Sequence, residues 1–108
     1  MKLLFLCSQN KLRSPTAEAI FSEYEGLEVL SAGLNKDAEN VLSAEMIEWA
    51  DIIFVMEKSH RNKLSKKYKT FMKGKRVVCL DIPDEYDCME PDLIKILKNR
   101  VLPLLGTF

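Results

Sequence analysis

Long apolar runs are missing from this chain of 108 residues. None approaches the roughly 20 residues of a membrane-spanning helix, so a transmembrane class is excluded. The opening MKLLFLC has an apolar core of only four residues, Leu3 to Leu6, before Cys7. Export needs roughly 7–15, so no leader is expected there. Cysteine is scarce as well. Cys7, Cys79 and Cys88 are too few and too scattered for a disulfide framework, and an odd count points to reduced thiols and a cytoplasmic address. Charge of one sign is lacking, because 16 Lys and Arg balance 16 Asp and Glu. Nothing in that balance argues for nucleic acid or a membrane surface as partner. The one histidine, His60, has no companion for metal binding and is expected at the surface of a basic helix. No cofactor or metal is expected. Glycine and proline number four each, and no linker, repeat or low-complexity tract divides the chain. One domain over residues 1–108 is expected.

What is present is an alternation. Three short, almost wholly apolar segments occur: LLFL at 3–6, IIFVM at 52–56 and VVCL at 77–80. They read as strands buried on both faces, as in a parallel sheet covered by helices. A fourth, LEVLS at 27–31, mixes polar and apolar positions like an edge strand. Between them lie helical stripes: Ala17, Ile20, Phe21 and Tyr24, stopping at Gly26; then Ala38, Leu42, Met46 and Trp49. A last stripe of Leu93, Leu97, Val101 and Leu104 is opened by Pro91. Residues 58–68 also read as helix. The fold class is therefore α/β: a small open parallel sheet of four strands with helices on both faces; a strand order of 2-1-3-4 is the expectation. Ligands in such sheets bind where loops leave the carboxyl ends of the strands. Cys7 lies at such an end, and so does the acidic loop after Leu80.

The stretch CSQNKLRSP, Cys7 to Pro15, joins the first strand to the first helix. Ser14 and Pro15 read as a helix start, with a hydroxyl cap and then a residue whose missing N–H is no loss. Unpaired N–H groups and the positive end of the helix dipole favour an anion there. Arg13 adds a planar fork able to hold two phosphate oxygens. A thiol in such surroundings is held as thiolate, and an anion site containing an anionic nucleophile suits attack on phosphorus.

These residues resemble the phosphate-binding loop of the low-molecular-weight protein tyrosine phosphatases, whose signature is Cys-x5-Arg-Ser near the N-terminus. Asn10 matches an Asn that shapes that loop. SAG at 31–33, ADIIFVM at 50–56 and an Asp-containing loop after the last strand extend the likeness in order and type. The resemblance implies Cys7 as the nucleophile that forms a phosphocysteine, with Ser14 supporting its thiolate. It implies Arg13 and the loop Ser8, Gln9, Asn10, Lys11, Leu12, Arg13 and Ser14 as the phosphate site. The family's general acid lies in Asp-Pro-Tyr, and this chain offers DIPDEYD at 81–87. Alignment on Asp-x-Tyr selects Asp84 as acid and Tyr86 as the aromatic wall beside the substrate, with Asp81 as competitor. Glu85 replaces the usual Pro, and the stretch between Gly33 and Ala50 looks shortened against typical members. Leu12 stands where several relatives carry a second cysteine.

The expected activity is hydrolysis of a phosphotyrosine protein or of small aryl phosphate monoesters through the phosphocysteine intermediate. Two other readings stay open. One is a thiol-dependent arsenate reductase using Cys79 and Cys88, although Cys79 reads as an inward strand residue. The other is a phospho-ligand module without turnover. The basic stretch 58–76 and the acidic stretch 81–92 read as a solvated helix face and a loop, with electrostatic docking as the alternative.

Overall fold

Alternation along the first strand decides how the sheet is covered. In the computed structural model, which describes residues 1–106, strand β1 (Lys2–Cys7) sends Leu3, Phe5 and Cys7 to one face and Leu4 and Leu6 to the other. All five are buried, as the pleat requires when both faces are packed. The last two residues of the expected domain, 107 and 108, lie outside the described residues. The other strands are β2 (Glu28–Gly33), β3 (Ile52–Val55) and β4 (Arg76–Cys79), all parallel to their neighbours in the order β2-β1-β3-β4. That is the expected order.

Helices α1 (Arg13–Phe21) and α4 (Pro91–Leu105) cover the Phe5 face. Phe5 stacks between Phe21, with ring centroids 5.4 Å apart, and Phe54, at 4.9 Å. Fully burying such a ring contributes about 1.5–3 kcal/mol, so this triplet is a main anchor of that layer. Helices α2 (Ala44–Trp49) and α3 (Lys58–Lys67) cover the opposite face, where Leu64 and Ile47 meet Leu4, Leu6, Ile53 and Val55. Trp49 is half-buried there, with the Lys2 ammonium over its ring.

Four expectations are corrected. Helix α1 begins at Arg13 with Leu12 at its N-cap, so Ser14 is not the cap; its hydroxyl is engaged by Cys7 and Asn10 instead. The Ala38–Trp49 stripe is helical only from Ala44, because Val41 bridges to Gly33 and Leu42 N–H donates to the Gly33 carbonyl. Ser43 then accepts from Met46 N–H and starts the helix. Val77, Val78 and Cys79 are only half-buried: β4 is an outer strand, whose Val78 packs on one core cluster and whose Val77 and Cys79 pack on the other. In α4 the buried stripe closes on Leu105 rather than Leu104, continuing the four-residue steps from Leu93, Leu97 and Val101. Among the described residues no helix is long and apolar enough to cross a membrane.

In the order β2-β1-β3-β4 the chain leaves β1 toward one edge and returns at β3 toward the other. The loops after β1 and β3 therefore part from each other, and a crevice opens at their carboxyl ends. Cys7 ends β1, and the N-terminus of α3 follows β3 almost directly.

Candidate active site

Between β1 and α1 the chain turns back on itself through residues 8–12, and this turn is held from outside. Leu34 N–H donates to the Cys7 carbonyl, Asn35 N–H to that of Ser8, and Glu39 N–H to that of Gln9, each at 3.0 Å. With its carbonyls turned outward, the loop keeps its own amides inward. The N–H groups of residues 8–12 donate to no other described group. A row of unspent amides at a helix N-terminus is an anion cradle. Gly33 permits the close approach. A Cβ there would lie 2.4 Å from the Ala38 Cβ and 2.7 Å from the Ser8 carbonyl oxygen.

Asn10 carries the bend of the loop, with φ of 56° in the left-handed region that Asn tolerates better than most side chains. Its amide is buried and donates to the Ser14 hydroxyl at 2.8 Å and to the Ser31 hydroxyl at 3.0 Å. Ser31 donates to Glu18 at 2.5 Å. Since Asn10 donates to Ser14, the Ser14 proton is free to point at Cys7, whose Sγ lies 3.0 Å away. That geometry suits hydrogen bonding to a deprotonated sulfur.

Arg13 is 4% exposed, a buried cation that needs partners. Its Nη1 donates to Glu57 at 2.7 Å and to the Ile82 carbonyl at 2.8 Å, while Nη2 donates to no described group. Glu57 stands at the N-cap of α3 and Ile82 follows β4, so two further strands orient this guanidinium. Its Nε lies 3.8 Å from an Asp84 carboxylate oxygen. Glu57 was not singled out from the sequence; nothing in its spacing marks it, because it meets Arg13 only across the sheet.

Cys7, Ser8, Gln9, Lys11, Leu12, Arg13 and Asp84 line one cleft of about 170 Å³. Asn10 and Ser14 lie behind its wall, acting on the loop and the sulfur. Asp81 sits elsewhere, with φ of 53°, in a separate depression beside Glu57, Lys58, Ser59 and Pro83. Tyr86 is half-buried against the core of the α1 and α4 face and does not line the cleft. Cys79 is half-buried beside Asp81, and Cys88 is exposed, in contact with Thr16.

His60 is the clearest correction, for it is 2% exposed rather than at the surface. Its Nδ1 accepts the Glu57 backbone N–H at 3.1 Å, which leaves Nε2 to donate to the Ser8 hydroxyl at 3.0 Å. Burial, and next the Arg13 charge, push its pKa below the usual 6.5, so the neutral ring is the resting form. Its place within KSHRNKLSKK hides this, because the polar neighbours suggest solvent on every side.

Residues 2–50 match the family described as low molecular weight phosphotyrosine protein phosphatase. No curated protein sequence matches the chain. Solved structures share its fold. YwlE arginine phosphatase from Geobacillus stearothermophilus is 21% identical with a TM-score of 0.76, over 96% of this chain and 92% of that one. Wzb of Vibrio vulnificus in complex with benzylphosphonate is 20% identical with a TM-score of 0.74, over 95% of each chain. The Drosophila arginine phosphatase DARP is 19% identical with a TM-score of 0.70, over 99% of each.

Proposed function

We propose that this chain, whose residues 2–50 match the low molecular weight phosphotyrosine protein phosphatases and whose fold is shared with the YwlE and DARP arginine phosphatases, is a cysteine-dependent phosphatase. It hydrolyses phosphate monoesters through a phosphocysteine intermediate, as one domain over residues 1–108. The observation that carries this reading is Cys7 in a cleft ringed by unspent amides, with Ser14 at 3.0 Å behind the sulfur and Asp84 at the rim.

In the first step the Cys7 thiolate attacks phosphorus in line with the leaving oxygen. The S–P bond forms, the P–O bond breaks, and Asp84 as carboxylic acid passes its proton to the leaving oxygen. In the second step the Asp84 carboxylate takes a proton from the attacking water. The S–P bond breaks, and phosphate and the thiolate are released. Throughout, the amides of residues 8–13 and the outer edge of Arg13 meet the equatorial oxygens, where transition-state charge develops. Glu57 and the Ile82 carbonyl fix the inner edge of Arg13, so little reorganisation accompanies attack. Asp84 is favoured over Asp81 as acid because it shares the cleft with Cys7. Tyr86 is the aromatic wall only if its loop swings toward the cleft on binding.

Phosphotyrosine and small aryl phosphates are the substrates proposed. A cytoplasmic setting suits the reaction, since Cys7 must stay reduced; Cys7, Cys79 and Cys88 are all free thiols. The test is turnover of para-nitrophenyl phosphate by the parent, Cys7→Ser, Asp84→Asn and Asp81→Asn. Activity is expected in the parent and none in Cys7→Ser. Asp84→Asn should slow poor leaving groups more than good ones; the same behaviour in Asp81→Asn would reassign the acid. Phosphoarginine belongs in the assay because YwlE and DARP are named as arginine phosphatases. Faster release from it than from phosphotyrosine would change the substrate class and leave the chemistry of Cys7 standing.

A further inference from the structure

A second cleft, of about 350 Å³, adjoins the reaction cleft. Ser8 lines both. Its other walls are Ser59, His60, Asn62, Lys63 and Lys66 of α3. Residues 59, 62, 63 and 66 recur at helical spacing, so one face of α3 runs outward from the phosphate loop. No carboxylate lines this cleft, whereas Asp84 lines the reaction cleft and Glu57 and Asp81 line the third.

The cations of α3 are also uncompensated. The helix KSHRNKLSKK has five and no acidic residue. Among the described residues none of the five forms an ion pair. A solvated helix usually interleaves opposite charges at four-residue spacing, and this one does not. Lys63 is moreover held in place. Its ammonium donates to the Asn35 side chain at 2.7 Å, and Asn35 N–H donates to the Ser8 carbonyl. The cation is thus tied to the segment that props the phosphate loop. His60, neutral, brings no charge of its own and holds the hydroxyl of Ser8, the residue that the two clefts share.

The geometry points to the α3 cleft as a substrate subsite that binds acidic side chains beside the phosphorylated residue of a polypeptide. This rests on the phosphatase reading and deepens it: the substrate class becomes a phosphoprotein whose phosphorylated residue has Asp or Glu on one flank. A one-sided acidic segment fits better than a long polyanion. Residues 81–92 include six acids and no cation, and Asp84 brings that stretch to the rim of the same reaction cleft. A nucleic acid strand crossing the site would meet that repulsion, and a peptide with acids on one side only would not.

Three phosphotyrosine peptides separate the possibilities: one with three Glu before the phosphotyrosine, one with three Glu after it, and one with Gln at all six places. Turnover is followed with the parent, and binding by fluorescence anisotropy with Cys7→Ser, so that the groove is judged even without turnover. One acidic peptide is expected to exceed the Gln peptide about three- to tenfold in kcat/KM and in affinity. The gap should close near 1 M salt, where screening acts within about 3 Å. Lys63→Glu with Lys66→Glu should abolish or reverse the preference, and Lys63→Gln with Lys66→Gln should remove it. Equal binding of all three peptides would overturn the subsite, as would a preference that survives the double charge reversal. So would displacement of the acidic peptide by polyuridylate at lower concentration than by polyglutamate, since that favours nucleic acid. Failure of the parent to release phosphate, with the binding preference intact, would count against catalysis and not against the subsite.

Discussion

Single side chains at this site are defined by what they accept and donate. The Asn10 amide has donated to the Ser14 hydroxyl, so the hydroxyl proton is left for Cys7. Ser14→Ala removes the 3.0 Å hydrogen bond to Cys7, worth about 1.5–3 kcal/mol in the proposed mechanism, where the attacking sulfur is ionised. It should lower kcat for para-nitrophenyl phosphate about ten- to hundredfold with the fold intact, read by steady-state kinetics beside circular dichroism. His60 makes a different prediction. Its pKa is lowered in the fold, so below pH 6.5 the unfolded chain binds a proton that the folded chain resists. Stability from this group is complete above pH 6.5 and is lost as pH falls toward the lowered value. Urea unfolding across pH 7 to 5 should show the parent losing stability faster than His60→Gln, by up to about 1.4 kcal/mol per pH unit. Parallel curves would mean that the ring is not held neutral.

At the scale of elements, the phosphate loop works because another segment takes its carbonyls. Residues 34–39 contribute three N–H donors, and Gly33 allows them to come close. Gly33→Ala would press a methyl group onto the Ser8 carbonyl and the Ala38 side chain. Overpacking of that kind costs about 1–3 kcal/mol. The loop should shift with it, raising the inhibition constant of inorganic phosphate severalfold and lowering Tm. A fall in Tm with unchanged phosphate inhibition would show that the loop keeps its shape without this prop. Helix α3 has two tasks in the same place: its first residues position Arg13 and Ser8 through Glu57 and His60, and its outer face carries the uncompensated cations. A short helix set directly behind β3 can do both because its N-terminus falls at the crevice of the sheet.

For the whole molecule, the two-sided core sets stability while the crevice sets chemistry. Phe54 is wholly buried in the Phe5 stack, in the β3 strand. Phe54→Ala should cost about 3–5 kcal/mol in chemical denaturation. The fraction that remains folded should keep most of its turnover, since Phe54 lines neither cleft. Loss of turnover in fully folded material would mean that the core and the site are coupled.

Local pattern was enough for much of this protein. Short apolar runs separated by helical stripes determined a parallel sheet covered by helices, because strands packed on both faces tend to read as continuous apolar runs. Cys7, Asn10, Arg13 and Ser14 were legible since one loop holds them all, and that loop's chemistry is local. Tertiary structure alone decided the rest. Glu57 reaches Arg13 across 44 positions, His60 reaches Ser8 across 52, and Asp84 rather than Asp81 enters the cleft with Cys7. Ala38 to Val41 read as the start of a helix by spacing, yet residues 34–39 form the prop of the loop, because the Cys7, Ser8 and Gln9 carbonyls offered hydrogen bonds that a helix would have kept to itself. Spacing along a chain reports which face a residue shares with its neighbours; it carries no term for the partner that a distant strand end brings within 3 Å.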